Sequence, residues 1–317
     1  MISLGIDLGG TKILAAVVKD GQVIDREQVD TPQTGFEDVA DTMAACARTV
    51  LGRGHEVTAV GIGSPGPLDY ETGEVIFAPN IAGMVNAPIV RAVSERLGMQ
   101  VSLENDANAA GYAEHLYGAA KGLGSSIYVT LSTGIGSGLI VGDTLIRGAH
   151  GQAGEIGHMT VLPGGPMGGD GHTGSLEAIA AGRSMARDAS YVFGYDMETE
   201  DLFELARSGD RKALGIVDNA ALFTGIGLAN LVKILDPEAF VIGGGVARVG
   251  PFYLDRIEAA CARYLVGYRM PRLLPAKLGY DAAVIGAAAV AARAERDRGA
   301  RDHATDAAAE RPDGRLS

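Results

Sequence analysis

The stretch ISLGIDLGGTKILAAVV, Ile2–Val18, decides the fold. Two apolar runs, Ile2–Ile6 and Ile13–Val18, flank the turn Asp7-Leu8-Gly9-Gly10-Thr11-Lys12. A third run, Gln22–Val29, follows Asp20-Gly21, a dipeptide that favours a tight hairpin. Three strands joined by short turns make an antiparallel meander. The same pattern returns about one domain later. Ser126–Leu131 leads into Ser132-Thr133-Gly134-Ile135-Gly136-Ser137-Gly138 and out through Leu139–Val141. Two halves that each offer a turn of phosphate size imply a duplicated α/β fold, with a polyphosphate gripped from both sides of a cleft.

Outward from the first repeat, apolar residues at helical spacing predict a helix over Phe36–Leu51, its stripe formed by Phe36, Val39, Met43, Cys46 or Ala47, and Val50. A buried strand is expected at Val57–Gly63, a helix near Ile89–Leu97 and a strand at Val101–Glu104. After the second repeat, helices are expected near Leu176–Val192, Thr199–Arg207 and Lys212–Leu235. A strand at Ala239–Ile242 then runs into Gly243-Gly244-Gly245 and another helix. An alanine-rich helix near Ala282–Glu295 closes the ordered chain. The expected domains are 1–107 with about 282–296, then 108–281, with 297–317 as a polar, disordered tail.

The formal net charge of −12 argues against a nucleic-acid or anionic-membrane surface. It also requires any bound polyphosphate to be neutralised locally, by a divalent cation and backbone N–H groups. Cys46 and Cys261 form no disulfide framework and lack metal-ligand spacing. MISLGIDLGG has no charged n-region, and no apolar run is read as reaching the ~18–20 residues that cross a bilayer. The expected location is the cytoplasm.

Four motifs carry chemistry. In Asp7–Lys12 the glycines let backbone approach an anion, Thr11 adds a hydroxyl, and Asp7 at a strand end suits Mg²⁺, directly or through water. It is no Walker A loop, because the chain continues as strand rather than helix. A glycine hairpin with a solvated Asp explains this motif equally well when it is taken alone. In Glu104-Asn105-Asp106-Ala107-Asn108 a strand delivers polar residues at its C-terminal end, ahead of a helix expected from about Asn108. Asp106 suits accepting a proton from a hydroxyl, and one of Asn105, Asp106 and Asn108 is free to cap the helix. Glu155 and His158, in a glycine-rich loop, suit adjacent hydroxyls of a polyol; a surface Glu with a packed His explains them too. Gly243–Gly245 suit close approach of a nucleoside, or simply a strand-to-helix turn.

Together these residues resemble the ROK family of sugar kinases, bacterial glucokinases especially. The resemblance spans Ile2 to about Ala292 through DLGGTK (7–12), GSPGPL (63–68), APN (78–80), ENDANAA (104–110), STGIGSG (132–138), GEIGH (154–158) and IGGGVA (242–247). It implies a two-domain, actin-like ATPase fold of duplicated ribonuclease H-like type with an interdomain cleft. It also implies ATP- and Mg²⁺-dependent phosphorylation of D-glucose to glucose 6-phosphate in glycolysis. Asp106 is then the base. Asn105, Glu155, His158 and Glu177 bind sugar hydroxyls, and Gly66 and Asn80 line the pocket. Gly9, Gly10, Thr11, Lys12, Thr133 and Gly134 face the ATP phosphates, Asp7 serves the metal, and Gly243, Gly244 and Gly245 lie near adenosine. A homo-oligomer, dimer or tetramer, is implied.

One departure stands out. Many family members hold zinc through a His equivalent to His158 and three cysteines. Here Gly168, Asp170 and Ser175 occupy the cysteine positions, so a Cys₃His site is excluded and no zinc is expected. Asp170, His172 and His158 are left as solvated loop residues or a weaker oxygen and nitrogen site. Other readings are a kinase for fructose, mannose or an N-acetylhexosamine, a sugar-sensing repressor, and an ATP-driven scaffold. The repressor reading lacks the expected N-terminal helix-turn-helix, and the scaffold has no use for Glu155, His158 and Glu177. Whether polyphosphate replaces ATP is left open.

Overall fold

A computed structural model describes residues 1–169 and 171–309. They divide into two compact units, Met1–Ala109 with the segment from Ala283 onward, and Ala110–Ala282.

In the first unit β1 (Ile2–Leu8), β2 (Lys12–Lys19) and β3 (Gln22–Asp30) form the expected meander. Asp20 and Gly21 both take positive φ, 51° and 79°, which matches the twist of a two-residue hairpin. β1 is almost wholly buried, whereas β3 alternates in and out as an edge strand does. α1 (Phe36–Leu51) covers the sheet with Val39, Met43, Cys46, Ala47 and Val50. β4 (Ala59–Ser64) then pairs parallel with β1. A small antiparallel sheet follows, β5 (Leu68–Asp69), β6 (Glu74–Phe77) and β7 (Val85–Ala87), before α2 (Ile89–Leu97) and β8 (Val101–Asn105). The main sheet runs β3-β2-β1-β4-β8. α3 (Asp106–Leu116) begins directly after β8, two residues earlier than its expected start at Asn108.

The second unit repeats this plan. β9 (Ser125–Leu131) and β10 (Ile135–Val141) are antiparallel, and β11 (Thr144–Leu145) pairs with β10. The helical layer follows: α4 (Leu176–Ala180), α5 (Gly182–Phe193), α6 (Thr199–Arg207) and α7 (Arg211–Leu235). β12 (Ala239–Gly243) lies parallel to β9, and after α8 (Pro251–Arg263) β13 (Arg272–Pro275) lies parallel to β12. The order β11-β10-β9-β12-β13 repeats the first sheet strand for strand in direction and position. This is the duplicated ribonuclease H-like arrangement of actin-like ATPases.

Three expectations need correction. The helix expected over Leu176–Val192 breaks at Ala181, whose ψ of 156° is extended. There Gly182 N–H donates to Ser132 O at 2.8 Å, so a tertiary bond overrides helix propensity. α7 is long and apolar enough, by length and composition, to cross a bilayer, contrary to the reading that no run is. Its face of Ala213, Val217, Ala221, Leu228 and Val232 is buried in the core of the unit. Finally α9 (Ala282–Ala309) continues past residue 296 into the segment expected to be a disordered tail. Alanine-rich sequence with Arg298–Glu295 and Arg293–Asp297 pairs at helical spacing favours helix there. Residues 310–317 lie outside the described residues.

α9 returns to the first unit and packs against its sheet. Gly5 on β1 and Gly61 on β4 make this possible, because a Cβ on either would run into the carbonyls of Val284 and Ala287.

Candidate active site

Parallel pairing sets the geometry in the first unit. Asp7 lies opposite Gly63, and Gly63 opposite Glu104, so the C-terminal ends of β1, β4 and β8 stand in one row. Such a row is where sheets of this kind bind ligands. Asp7 is the last residue but one of β1, partly exposed yet densely surrounded by protein. Burial, with a further push from the neighbouring Asp106 carboxylate, raises its pKa to about 7.

Asn105 is the residue that caps α3. Its Oδ1 accepts from the N–H groups of Ala107 at 3.0 Å and Asn108 at 3.1 Å. That leaves its amide nitrogen to donate elsewhere, on the side of Gly66: a Cβ at Gly66 would lie 3.4 Å from Asn105 Nδ2. Asp106, partly exposed, opens α3, where the helix dipole favours a carboxylate. Beneath them Glu104 is fully buried. Its Oε1 accepts from Tyr70 Oη at 2.7 Å, Asn105 N–H at 3.0 Å and Asn108 Nδ2 at 3.0 Å. This network fixes the strand-to-helix corner, and sequence reading assigned neither Glu104 nor Tyr70 a role in it. A buried acid at a strand end was the only available signal.

The turn Gly9–Lys12 closes through Gly9 N–H to Lys12 O at 2.9 Å. Thr31 braces it from the end of β3, donating Oγ1 to Gly9 O at 2.8 Å and its N–H to Thr11 O at 2.9 Å. A Cβ at Gly10 would lie 3.1 Å from Asn80 O, so Asn80, expected to line the sugar pocket, abuts the turn expected to face phosphate.

In the second unit the turn Ser132–Gly134 closes through Ser132 N–H to Gly134 O at 2.9 Å, leaving Thr133 exposed. Glu177, in α4, reaches this turn: its Oε2 accepts from Ile135 N–H at 2.8 Å, and its Oε1 pairs with Arg183. Glu155 and His158 are both exposed, with His158 Nδ1 3.3 Å from Glu155 Oε2. Gly157 between them packs against Ile135 O and lies near Glu177 Cβ, so Glu155, His158 and Glu177 gather around the start of β10.

The glycine triplet divides by role. Gly243 and Gly244 are required by packing, since a Cβ would strike Tyr128 and Leu131 of β9. Gly245 is exposed and open.

The segment expected to hold zinc in relatives is closed here by backbone bonds. Gly168 N–H donates to His172 O at 2.7 Å, and Gly174 N–H to Pro166 O at 2.8 Å. Ser175 Oγ caps α4, accepting from Ala178 N–H at 3.2 Å. His158 and His172 meet edge to face. Asp170 lies outside the described residues. Among the described residues no cluster of three or more His, Cys, Asp or Glu is arranged to hold a metal. Asp7 and Asp106, two mutually repelling carboxylates, fit the hard oxygen donors that Mg²⁺ takes alongside phosphate and water.

The comparisons cover nearly the whole chain. The ROK family matches residues 3–294. The glucokinase of Streptomyces coelicolor is 37% identical over 311 residues, 92% of this chain and 97% of that protein. A ROK hexokinase from Thermus thermophilus superposes with a TM-score of 0.89 at 46% identity, covering 94% of this chain and 100% of that one. A ROK glucokinase from Streptomyces griseus, solved with glucose and AMPPNP, has a TM-score of 0.79 at 37% identity, covering 92% and 100%. With matched motifs, a shared fold and relatives along almost its full length, the chain belongs to the ROK family.

Proposed function

We propose that this protein is a glucokinase, transferring the γ-phosphoryl group of ATP to the primary hydroxyl of D-glucose. The observation that carries the reading is the placement of Asp106 at the head of α3, in the same strand-end row as Asp7 and the Gly9–Lys12 turn.

In this reading Asp106 takes the proton from the attacking hydroxyl. Phosphoryl transfer passes through a loose transition state, so a carboxylate is an adequate base, and positioning does most of the work. Asn105 donates its free amide N–H to a sugar hydroxyl, with Gly66 and Asn80 leaving room for the ring. Glu155, His158 and Glu177 take further hydroxyls, their mixed acceptors and donors suiting a polyol. Backbone N–H groups of Gly9–Lys12 and of Thr133–Gly134 offset charge on the transferred group, and Gly245 leaves space near the adenosine. Mg²⁺, held by Asp7 directly or through water, would supply the positive charge this acidic protein lacks. No zinc enters the scheme. The enzyme is assigned to the cytoplasm as a homodimer or homotetramer, without nucleic-acid or membrane partners.

The test is a phosphotransfer assay with coupled ADP detection over glucose, fructose, mannose, N-acetylglucosamine and N-acetylmannosamine, with and without Mg²⁺. Glucose is expected to have the highest kcat/KM, at least ~10-fold above the others, the scale on which buried hydrogen bonds discriminate. A preference for another sugar, or ADP release independent of sugar, would overturn the assignment.

A further inference from the structure

The break between α4 and α5 places an arginine where the functional reading gave it no role. Ala181 is extended, and the chain then bonds twice to the second glycine turn. Gly182 N–H donates to Ser132 O at 2.8 Å and Arg183 N–H to Thr133 O at 3.4 Å. The Arg183 side chain folds back over one turn, and its Nη2 pairs with Glu177 Oε1. Ser184 Oγ adds a bond to Glu177 O at 2.7 Å. Glu177 is thus held at both ends of its carboxylate, by Arg183 on Oε1 and by Ile135 N–H on Oε2. That carboxylate lies directly against Gly134, where even a Cβ would collide with Oε2.

This packing creates an electrostatic problem. A carboxylate beneath Thr133-Gly134 sits beside the turn assigned to the ATP phosphates, where its charge opposes theirs. The Glu177 side chain is only 19% exposed, so water screens it weakly. A guanidinium offers charge and a planar fork together, which a point-charge ammonium does not.

We infer that Arg183 is a positioning residue for both substrates: it neutralises Glu177 under the phosphate turn and orients its remaining lone pairs toward the hexose. The inference rests on the glucokinase reading for the sugar and on the phosphate assignment of Thr133-Gly134 for the nucleotide. Arg183 thereby ties recognition of the two substrates to one ion pair.

The experiment compares wild type, Arg183→Ala, Arg183→Lys, Glu177→Gln and the Arg183→Ala/Glu177→Gln double variant. KM for ATP, KM for glucose and kcat are measured, and AMPPNP affinity is read by calorimetry without turnover. Arg183→Ala is expected to raise KM for ATP and weaken AMPPNP binding about tenfold, with KM for glucose rising as well. Lys should restore part of the loss. Glu177→Gln should tighten AMPPNP binding, because the unpaired guanidinium beside the turn then attracts phosphate, and the double variant should return to within about twofold of wild type. A purely structural arginine would instead lower kcat or melting temperature equally in both backgrounds. Unchanged AMPPNP binding in Arg183→Ala, or AMPPNP binding in Glu177→Gln no tighter than in wild type, would overturn the inference. A wild type that binds AMPPNP but phosphorylates no hexose would sink the glucokinase reading, and the nucleotide arm would still decide the role of Arg183.

Discussion

The Asp7 carboxyl lies beside that of Asp106, and burial first, with repulsion from Asp106 second, raises the Asp7 pKa from the usual 3.8 to about 7. Folded Asp7 therefore binds its proton more tightly than the unfolded chain does. Between pH 4 and 7 the folded state holds more protons, so stability falls as pH rises through that window.

Asp7→Asn should remove this penalty. Relative to wild type in a chelator, the variant should gain stability from about pH 4 to pH 7 and level off above. At about 1.4 kcal/mol per pKa unit, the rise from 3.8 to about 7 sets the gain at pH 8 at about 4 kcal/mol. Denaturant titration at pH 4, 6 and 8 measures it, and a constant difference across the three would contradict the shifted carboxyl. The same variant should lose most phosphoryl transfer, as expected where a strained charge serves function. In wild type, kcat/KM for ATP should decline below about pH 7 at limiting Mg²⁺, and excess Mg²⁺ should carry that limb to lower pH.

Asp106→Asn should lower kcat by at least ~10²-fold, the low end for a general base. The fold should survive, because Asn105 caps α3 and an amide oxygen at position 106 can still accept the Ala107 N–H that Asp106 Oδ1 takes at 2.7 Å. Near-normal turnover in a variant with wild-type circular dichroism would remove Asp106 from the chemistry.

How far the sequence carried these conclusions depended on the range of the forces involved. The strand-turn-strand repeat was legible because β-rich runs on both sides of Asp7–Lys12 and of Ser132–Gly138 admit few other local structures. The antiparallel pairs β1-β2 and β9-β10 at the heart of the two sheets follow from that repeat. β5, β6, β7 and β13 were not legible, since two to four residues carry no periodicity. The break at Ala181 was invisible for another reason. Alanine is a strong helix former, and the competing bonds come from Ser132 and Thr133, about fifty positions away. In the site, residue types were legible but partnerships were not. Asn105 could be read as a cap or a ligand, and only coordinates show its oxygen spent on α3 and its nitrogen left over. The pairing of Glu177 with Ile135 and Arg183 likewise arises from tertiary packing.

Gly10→Ala tests whether the phosphate turn and Asn80 act together. The added methyl would sit 3.1 Å from Asn80 O and 3.2 Å from Asn80 Cβ, tighter than ordinary contact, so the turn or the Ala78–Asn80 segment must move. With Asn80 on the sugar and Gly10 on the phosphates, KM for both substrates should rise, each by about 5–30-fold, the scale of 1–2 kcal/mol. Steady-state kinetics at varied glucose and varied ATP check this. A change confined to ATP would detach Asn80 from the sugar site.

Gly61→Ala tests the seat of α9. The methyl would meet the carbonyl of Ala287 head on and crowd Ala291 Cβ at 3.1 Å, both on a helix of small residues chosen for close approach to β4. Strand and helix backbones cannot yield as a side chain tip would, so overpacking here should cost about 1–3 kcal/mol or more. Scanning calorimetry should show a lowered melting temperature, by roughly 2–12 °C at ~2–4 °C per kcal/mol for domains of this size. Activity at low temperature should persist, because Gly61 stands two residues inside the end of the row that carries Asp7 and Asp106. An unchanged melting temperature would mean that α9 does not press on this sheet as closely as the packing of Gly5 and Gly61 requires.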